Sequence, residues 1–289
     1  MNRMLATVLA LVAFLGGVSI STFVFQMTRQ TPAFNMHVEG NFGAAVTVTT
    51  TGFPADDSRQ IDELLIGEGR LIEANQQVLM RATKFTANGD EWSQVADLPT
   101  IVSGVATAKS VGKLADVVIG KKEGSRLAVV QPNEDRIAIT IVDILPTRLQ
   151  PSADSPSPET PMPQVSNTDE DVPVIGAVND PMENVSVTPI FVGKGAQVTD
   201  EDIVYANYVL AATDGTEIEN TFTNGNPPAY IALDDVFPGL RAGLVDQRVG
   251  SRVAVTVPSA QAQGDGDVVI VIDILALADK KPVAKTTSV

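Results

Sequence analysis

Val249-Gly250-Ser251-Arg252-Val253-Ala254-Val255-Thr256-Val257-Pro258 stands 126 residues after Glu123-Gly124-Ser125-Arg126-Leu127-Ala128-Val129-Val130-Gln131-Pro132. Each stretch reads as a glycine turn, then a short β-branched strand closed by proline. The same spacing relates Gly67-Glu68-Gly69 to Gly193-Lys194-Gly195, Asn88-Gly89 to Asp214-Gly215, and Leu114 to Leu240. Val142-Asp143-Ile144-Leu145 returns as Ile272-Asp273-Ile274-Leu275 at a spacing of 130, so the second copy holds four extra residues after Pro258. So many matches in one order at one spacing mark a domain-sized internal repeat rather than a solenoid period.

Each copy is rich in strand signals. Ile137–Leu145 and Val268–Leu275 are nearly continuous apolar runs. Arg126–Val130 and Arg252–Val257 are shorter strands, and Val204–Leu210 runs into Asp214-Gly215, a hairpin signal. One helix is expected between them, near Leu240–Gln247, after the Pro238-Gly239 break. Several strands and one short helix per copy place the chain in the α+β class with mostly antiparallel sheet.

Before the repeats, Met4 to Phe25 is 22 residues without a charge, between Arg3 and Arg29. At about 1.5 Å per residue such a helix crosses the roughly 30 Å hydrocarbon core. An uncleaved anchor is the preferred reading; Gly17-Val18-Ser19 also offers a weak signal-peptidase site, which would release a secreted chain. Arg3 favours a cytoplasmic N-terminus, so the repeats are expected outside the cell membrane, on a single-pass anchor. Between the copies, Pro146 to Pro173 holds seven prolines and five acidic residues with few large apolar side chains, which predicts an extended linker. The expected organisation is residues 1–29 for targeting, 36–145 for the first copy, 146–173 for the linker, 174–278 for the second copy, and 279–289 as a disordered tail.

Composition removes several kinds of chemistry. The 289 residues include no cysteine and one histidine, His37, so thiolate catalysis, disulfides and clustered imidazole ligands are excluded. A net charge of −15 leaves no basic footprint for nucleic acid. Gly193-Lys194-Gly195 is too short for a phosphate loop, and Asn184-Val185-Ser186 is a triplet too common to carry weight as a glycosylation signal. No metal and no cofactor is implied.

The second copy carries an ordered series that resembles the bacterial FKBP-type peptidyl-prolyl isomerases. It reads Gly193-x-Gly195, Val204-x-x-x-Tyr208, Asp214-Gly215-Thr216-x-Ile218-Glu219-Asn220, Val236-Phe237-Pro238-Gly239-Leu240, Val249-Gly250-Ser251-Arg252 and Val271-Ile272-Asp273-Ile274-Leu275. The resemblance implies two FKBP-like domains, each a curved antiparallel sheet wrapped on one short helix, after the N-terminal hydrophobic helix. By position, Tyr208, Glu219, Phe237 and Leu240 are implied as catalytic residues, and Ile218, Val236, Gln263 and Ile270 as substrate-binding residues. The implied partners are proline-containing polypeptides of exported proteins. Several family aromatics are replaced: Leu240 stands at the pocket floor, Ile270 at a wall and Gln263 at the place of a tyrosine. The first copy departs further, with Ala82 at the tyrosine position and Trp92-Ser93 opposite Ile218-Glu219, and is expected to be inactive. The rival function for such a pocket is a non-catalytic protein-binding or chaperone module; a third reading makes the first copy a spacer.

Overall fold

The computed structural model describes residues 34–278 except 56, 89–90, 95–100, 134–135, 152–162, 181, 224 and 265. The hydrophobic segment Met4–Phe25 and the tail 279–289 lie outside the described residues. Among the described residues no helix is long and apolar enough to cross a membrane.

Each repeat begins with a small two-stranded arm. In the first, β1 (Asn35–Glu39) pairs antiparallel with β2 (Thr47–Thr51). Its sheet contains β3 (Gln60–Leu65), β4 (Gln77–Asn88), β5 (Glu91–Gln94), β6 (Ile101–Val105), β7 (Arg126–Asn133) and β8 (Arg136–Leu145). The order is β3-β7-β8-β4-β5, with β6 also on β4. In the second repeat β9 (Val165–Asn167) pairs with β10 (Pro173–Ile175) as the arm. The sheet follows with β11 (Ser186–Phe191), β12 (Ile203–Ala212), β13 (Glu217–Asn220), β14 (Ala229–Ala232), β15 (Arg252–Val257) and β16 (Val268–Leu277). Its order, β11-β15-β16-β12-β13 with β14 on β12, is that of the first sheet, and every pairing is antiparallel. Mostly antiparallel sheet with few helices is thus observed.

The repeated glycines and serines are structural. The Gly67 N–H donates to Ser125 Oγ at 2.9 Å, and the Gly193 N–H to Ser251 Oγ at 2.9 Å. A Cβ on Gly67 would stand 2.2 Å from the Glu123 carbonyl oxygen, and one on Gly193 2.2 Å from that of Val249. Only glycine lets the two chain segments pass so closely. Gly124 and Gly250 turn into the strand at φ of 90° and 89°, in the left-handed region.

The repeated Arg and Asp make a buried clamp. Arg252 faces Asp273 across β15 and β16, and both are wholly buried. Arg252 Nη2 lies 2.8 Å from Asp273 Oδ2, and the guanidinium also donates to Asn167 Oδ1 and the Asp171 carbonyl of the arm. In the first copy Arg126 binds Asp143 at 2.8 Å and donates to the carbonyls of Gly40 and Asn41. Each clamp therefore fixes the arm of its own copy onto the sheet.

That arm explains the unbroken apolar strands. On one face of each sheet lies the helical segment, packed on Val253, Val255 and Ile272 in the second copy and on Leu127, Val142 and Ile144 in the first. On the other face the arm supplies Val165 and Ile175 against Val269 and Val271, or Val46 and Val48 against Ile139 and Ile141. A strand covered on both faces has no polar side to alternate with.

Two expectations change in detail. The second-copy helix runs Pro238–Leu244 rather than near Leu240–Gln247. Pro238 opens the helix instead of preceding it, because its missing N–H and fixed φ suit the first turn. The stretch 146–173 is not extended throughout: Thr147 and Leu149 are buried, Leu149 N–H donates to Asp273 Oδ2 at 3.0 Å, and β9 and β10 reach into its far end. The Thr147 hydroxyl donates to Glu123 and accepts from Arg70, and Leu149 packs into an apolar cluster drawn from both copies. Residues 152–162 lie outside the described residues. The two copies also pack directly, with Leu79, Ile101 and Leu145 meeting Phe191, Leu275 and Ala276 around Leu149.

Candidate functional site

A hollow of about 420 Å³ opens in the second copy between β12, β13, β16 and the start of the helix Pro238–Leu244. Leu240 and Ile270 are buried in it, and Val236, Phe237 and Tyr208 are half-buried. The helix is drawn close to β15 by glycine: a Cβ on Gly239 would stand 2.2 Å from Val257 Cγ1, and one on Gly243 2.7 Å from Val255 Cγ1. Pro238 opens the helix and leaves Phe237 at its cap, in extended conformation, lining the hollow. Glu219 and Gln263 stand exposed at the rim.

Tyr208 points in from β12. Burial, and then the Glu219 carboxylate that accepts its hydrogen bond and repels a phenolate, raise its hydroxyl well above the usual tyrosine range. The hydroxyl is therefore a neutral donor at any physiological pH. The hollow as a whole is apolar at its base, with one donor at the wall and polar groups only at its edge.

Of the eight residues singled out from sequence, Tyr208, Glu219, Val236, Phe237, Leu240, Gln263 and Ile270 line this one hollow. Ile218 does not. The β12–β13 ladder pairs Leu210 with Glu219 and Ala211 with Glu217, skipping Ile218, which bulges outward and is 58% exposed. With Glu219 turned inward, its neighbour on the strand faces away. Leu210, Tyr230, Asp235 and Val268 also line the hollow without having been singled out. Leu210 and Val268 were readable as strand residues two positions from Tyr208 and Ile270. Tyr230 was not, because it arrives through the β12–β14 pairing, opposite Tyr205.

The first copy has the same ladder but not the same wall. Tyr208 pairs with Ile272, as Ala82 pairs with Val142; Leu210 pairs with Ile270, as Lys84 pairs with Thr140. The register thus puts Ala82, Lys84, Ala138 and Thr140 where the second copy has Tyr208, Leu210, Val268 and Ile270. Its helical segment is broken into Ala108–Val111, a single 3-10 turn Gly112–Leu114, and Ala115–Val118. The side chains of Trp92 and Ser93 lie outside the described residues.

Among known proteins, the model of the family described as FKBP-type peptidyl-prolyl cis-trans isomerase matches residues 194–272. The FKBP-type peptidyl-prolyl cis-trans isomerase FkpA of Escherichia coli strain K12 is 34% identical over 100 residues, which cover 32% of this chain and 36% of FkpA. FkpA of the O157:H7 strain gives the same figures. The chain thus spans about a third of the length of the curated relatives it matches. The crystal structure of E. coli FkpA aligns with a TM-score of 0.30 and 24% identity, over 39% of this chain and 51% of that one. The structure of a Pseudomonas syringae peptidyl-prolyl cis-trans isomerase aligns with a TM-score of 0.29 and 20% identity, over 40% of this chain and 83% of that one.

Proposed function

We propose that the second copy, whose residues 194–272 match the model of the FKBP-type peptidyl-prolyl cis-trans isomerase family, accelerates rotation about X-Pro bonds of exported polypeptides, and that the first does not. No covalent bond is broken in this reaction. The barrier of about 18–20 kcal/mol comes from amide conjugation, and the cis and trans forms lie close in energy but exchange slowly. The twisted transition state has lost conjugation and is less dipolar than the planar amide. A dry hollow that holds the twisted form better than the planar one lowers the barrier.

The prolyl ring sits on Leu240, between Val236, Phe237 and Ile270, with Tyr208 at the side. Tyr208 moves its donated hydrogen bond from Glu219 to a substrate carbonyl, and Glu219 keeps the ring of Tyr208 oriented when the site is empty. The observation that carries this reading is the convergence of Tyr208, Val236, Phe237, Leu240 and Ile270 on one open hollow, in a copy whose register partner has Ala82, Lys84 and Thr140 at the matching wall.

Cis-to-trans conversion of short X-Pro peptides, followed with the full chain after a solvent jump, tests it directly. A rate above background that falls on Phe237→Ala supports an isomerase. A background rate together with peptide binding leaves a non-catalytic binding module instead.

We place this activity outside the cytoplasm, with Met4–Phe25 as the targeting segment and membrane anchor, on the strength of its 22 uncharged residues after Arg3. Cleavage of the repeats by protease added to intact cells or spheroplasts supports it; full protection contradicts it.

A further inference from the structure

β12 is the partition between the hollow and the other copy. Tyr208 leaves it toward the hollow, and Asn207, one residue earlier, leaves it on the opposite face. Asn207 is wholly buried against the first copy. Its Nδ2 donates to Gln77 Oε1 at 2.9 Å and to the Thr147 carbonyl at 2.8 Å, while its Oδ1 accepts from Thr221 Oγ1 at 3.0 Å. Gln77, on β4 of the first copy and 3% exposed, donates in turn to the Thr221 carbonyl and, at 3.3 Å, to that of Thr223.

Thr221 closes the circuit. Its Oγ1 accepts the Tyr208 N–H at 2.8 Å, and its own N–H donates to the Tyr208 carbonyl at 3.0 Å. It lies two residues beyond Glu219. All side-chain polar atoms of Gln77 and Asn207 are engaged, which makes the network stiff in a low-dielectric interior. Gln77 is also out of place for its own copy: the position 126 residues later is Ile203. A buried amide where an aliphatic residue would serve costs stability unless it has partners, and its partners are all on the second copy.

We propose that Gln77 of the first copy is a positioning residue for the hollow of the second, holding Tyr208 and Glu219 in register through Asn207 and Thr221. The first copy thereby sets the turnover of a site it does not line. The inference rests on the isomerase reading above for its effect on rate, but not for its effect on geometry.

The experiment compares full-length wild type with Gln77→Leu, which keeps the volume and removes every hydrogen bond of the side-chain amide, and with Ser103→Ala. Ser103 Oγ donates to the Pro228 carbonyl at 2.9 Å across the same contact between copies, without reaching Tyr208. Two quantities are read: kcat and KM on a short X-Pro peptide, and the NMR shift of the Tyr208 ring carbon bearing the hydroxyl, which follows its hydrogen bond to Glu219. Gln77→Leu is expected to lower kcat about tenfold with KM nearly unchanged, short of the hundredfold that a 1 Å misplacement can cost. The Tyr208 shift should move as well. Ser103→Ala should leave both at wild-type values. Where Gln77→Leu loses its fold by circular dichroism, Gln77→Met carries the same expectation.

A folded Gln77→Leu with wild-type kcat and an unmoved Tyr208 signal overturns the proposal. So does an equal loss in Ser103→Ala, which makes the effect one of docking in general. Should the wild type show no isomerase activity, that earlier reading falls, and the Tyr208 signal alone still decides the coupling.

Discussion

The two copies share strand order, the register of the central ladder (β4 on β8, β12 on β16), glycine crossing and buried Arg–Asp clamp, yet only the second combines Tyr208, Leu210, Val268 and Ile270 around an open hollow. What is preserved between them belongs to the scaffold. Gly67 and Gly193 are held by steric contact, and Arg126 and Arg252 by burial against the arm. What differs lies on one wall and in the helical segment that holds Leu114 or Leu240. The comparison separates residues that build the fold from residues that line the proposed site, within one chain.

The largest expected effect is on the scaffold. Asp273→Ala strands the wholly buried Arg252 and frees the Leu149 N–H, and should cost about 3–5 kcal/mol in urea unfolding of the second copy. Asp143→Ala should cost less, because the Arg126 side chain retains 10% exposure and reaches water more easily. Equal losses would mean that burial does not set the strength of the two clamps.

A wall exchange comes next. Ile270→Thr gives the second copy the residue that the register places at Thr140, and should lower kcat/KM on X-Pro peptides about tenfold, or about 1.4 kcal/mol. The hydroxyl brings water into a hollow proposed to work by being dry. Thr140→Ile in the first copy should change the rate by less than about twofold. A rate unchanged by the first substitution, or lowered by the second, would break the assignment of activity to one copy.

The smallest effect is with pH. Burial, aided by Glu219, holds the Tyr208 hydroxyl protonated, so the rate should stay flat as pH rises from about 6 to 9. The corresponding share of stability is complete below the ordinary tyrosine pKa of about 10 and erodes above it, since the unfolded chain then loses that proton first. A decline in rate well below pH 10 would show Tyr208 ionising without this protection.

Much of the scaffold was legible in the sequence because it repeats. Arg252–Val257 is a strand over the range its β-branched run suggested, and the Gly-Ser-Arg and Gly-x-Gly motifs proved to be two halves of one contact. Seven of the eight positions implied by the family resemblance line one hollow. Ile218, implied by the same resemblance, faces away because its neighbour Glu219 turns inward and the ladder skips it. The packed ends of 146–173 were hidden for another reason: a few buried groups, such as Thr147 and Leu149, suffice to seat an otherwise polar segment. Gln77 and Asn207 were invisible as partners, being 130 residues apart and joined only where the copies touch.

The claim that the second copy alone receives the prolyl ring is tested most directly by titrating the isotope-labelled full chain with an X-Pro peptide and recording NMR shifts and peptide cis–trans exchange together. Shifts concentrated at Tyr208, Val236, Phe237 and Ile270, with exchange above background and quiet signals at Ala82, Leu114 and Thr140, are the predicted result. Shifts of equal size in both copies, or exchange left at background under saturating protein, would contradict it.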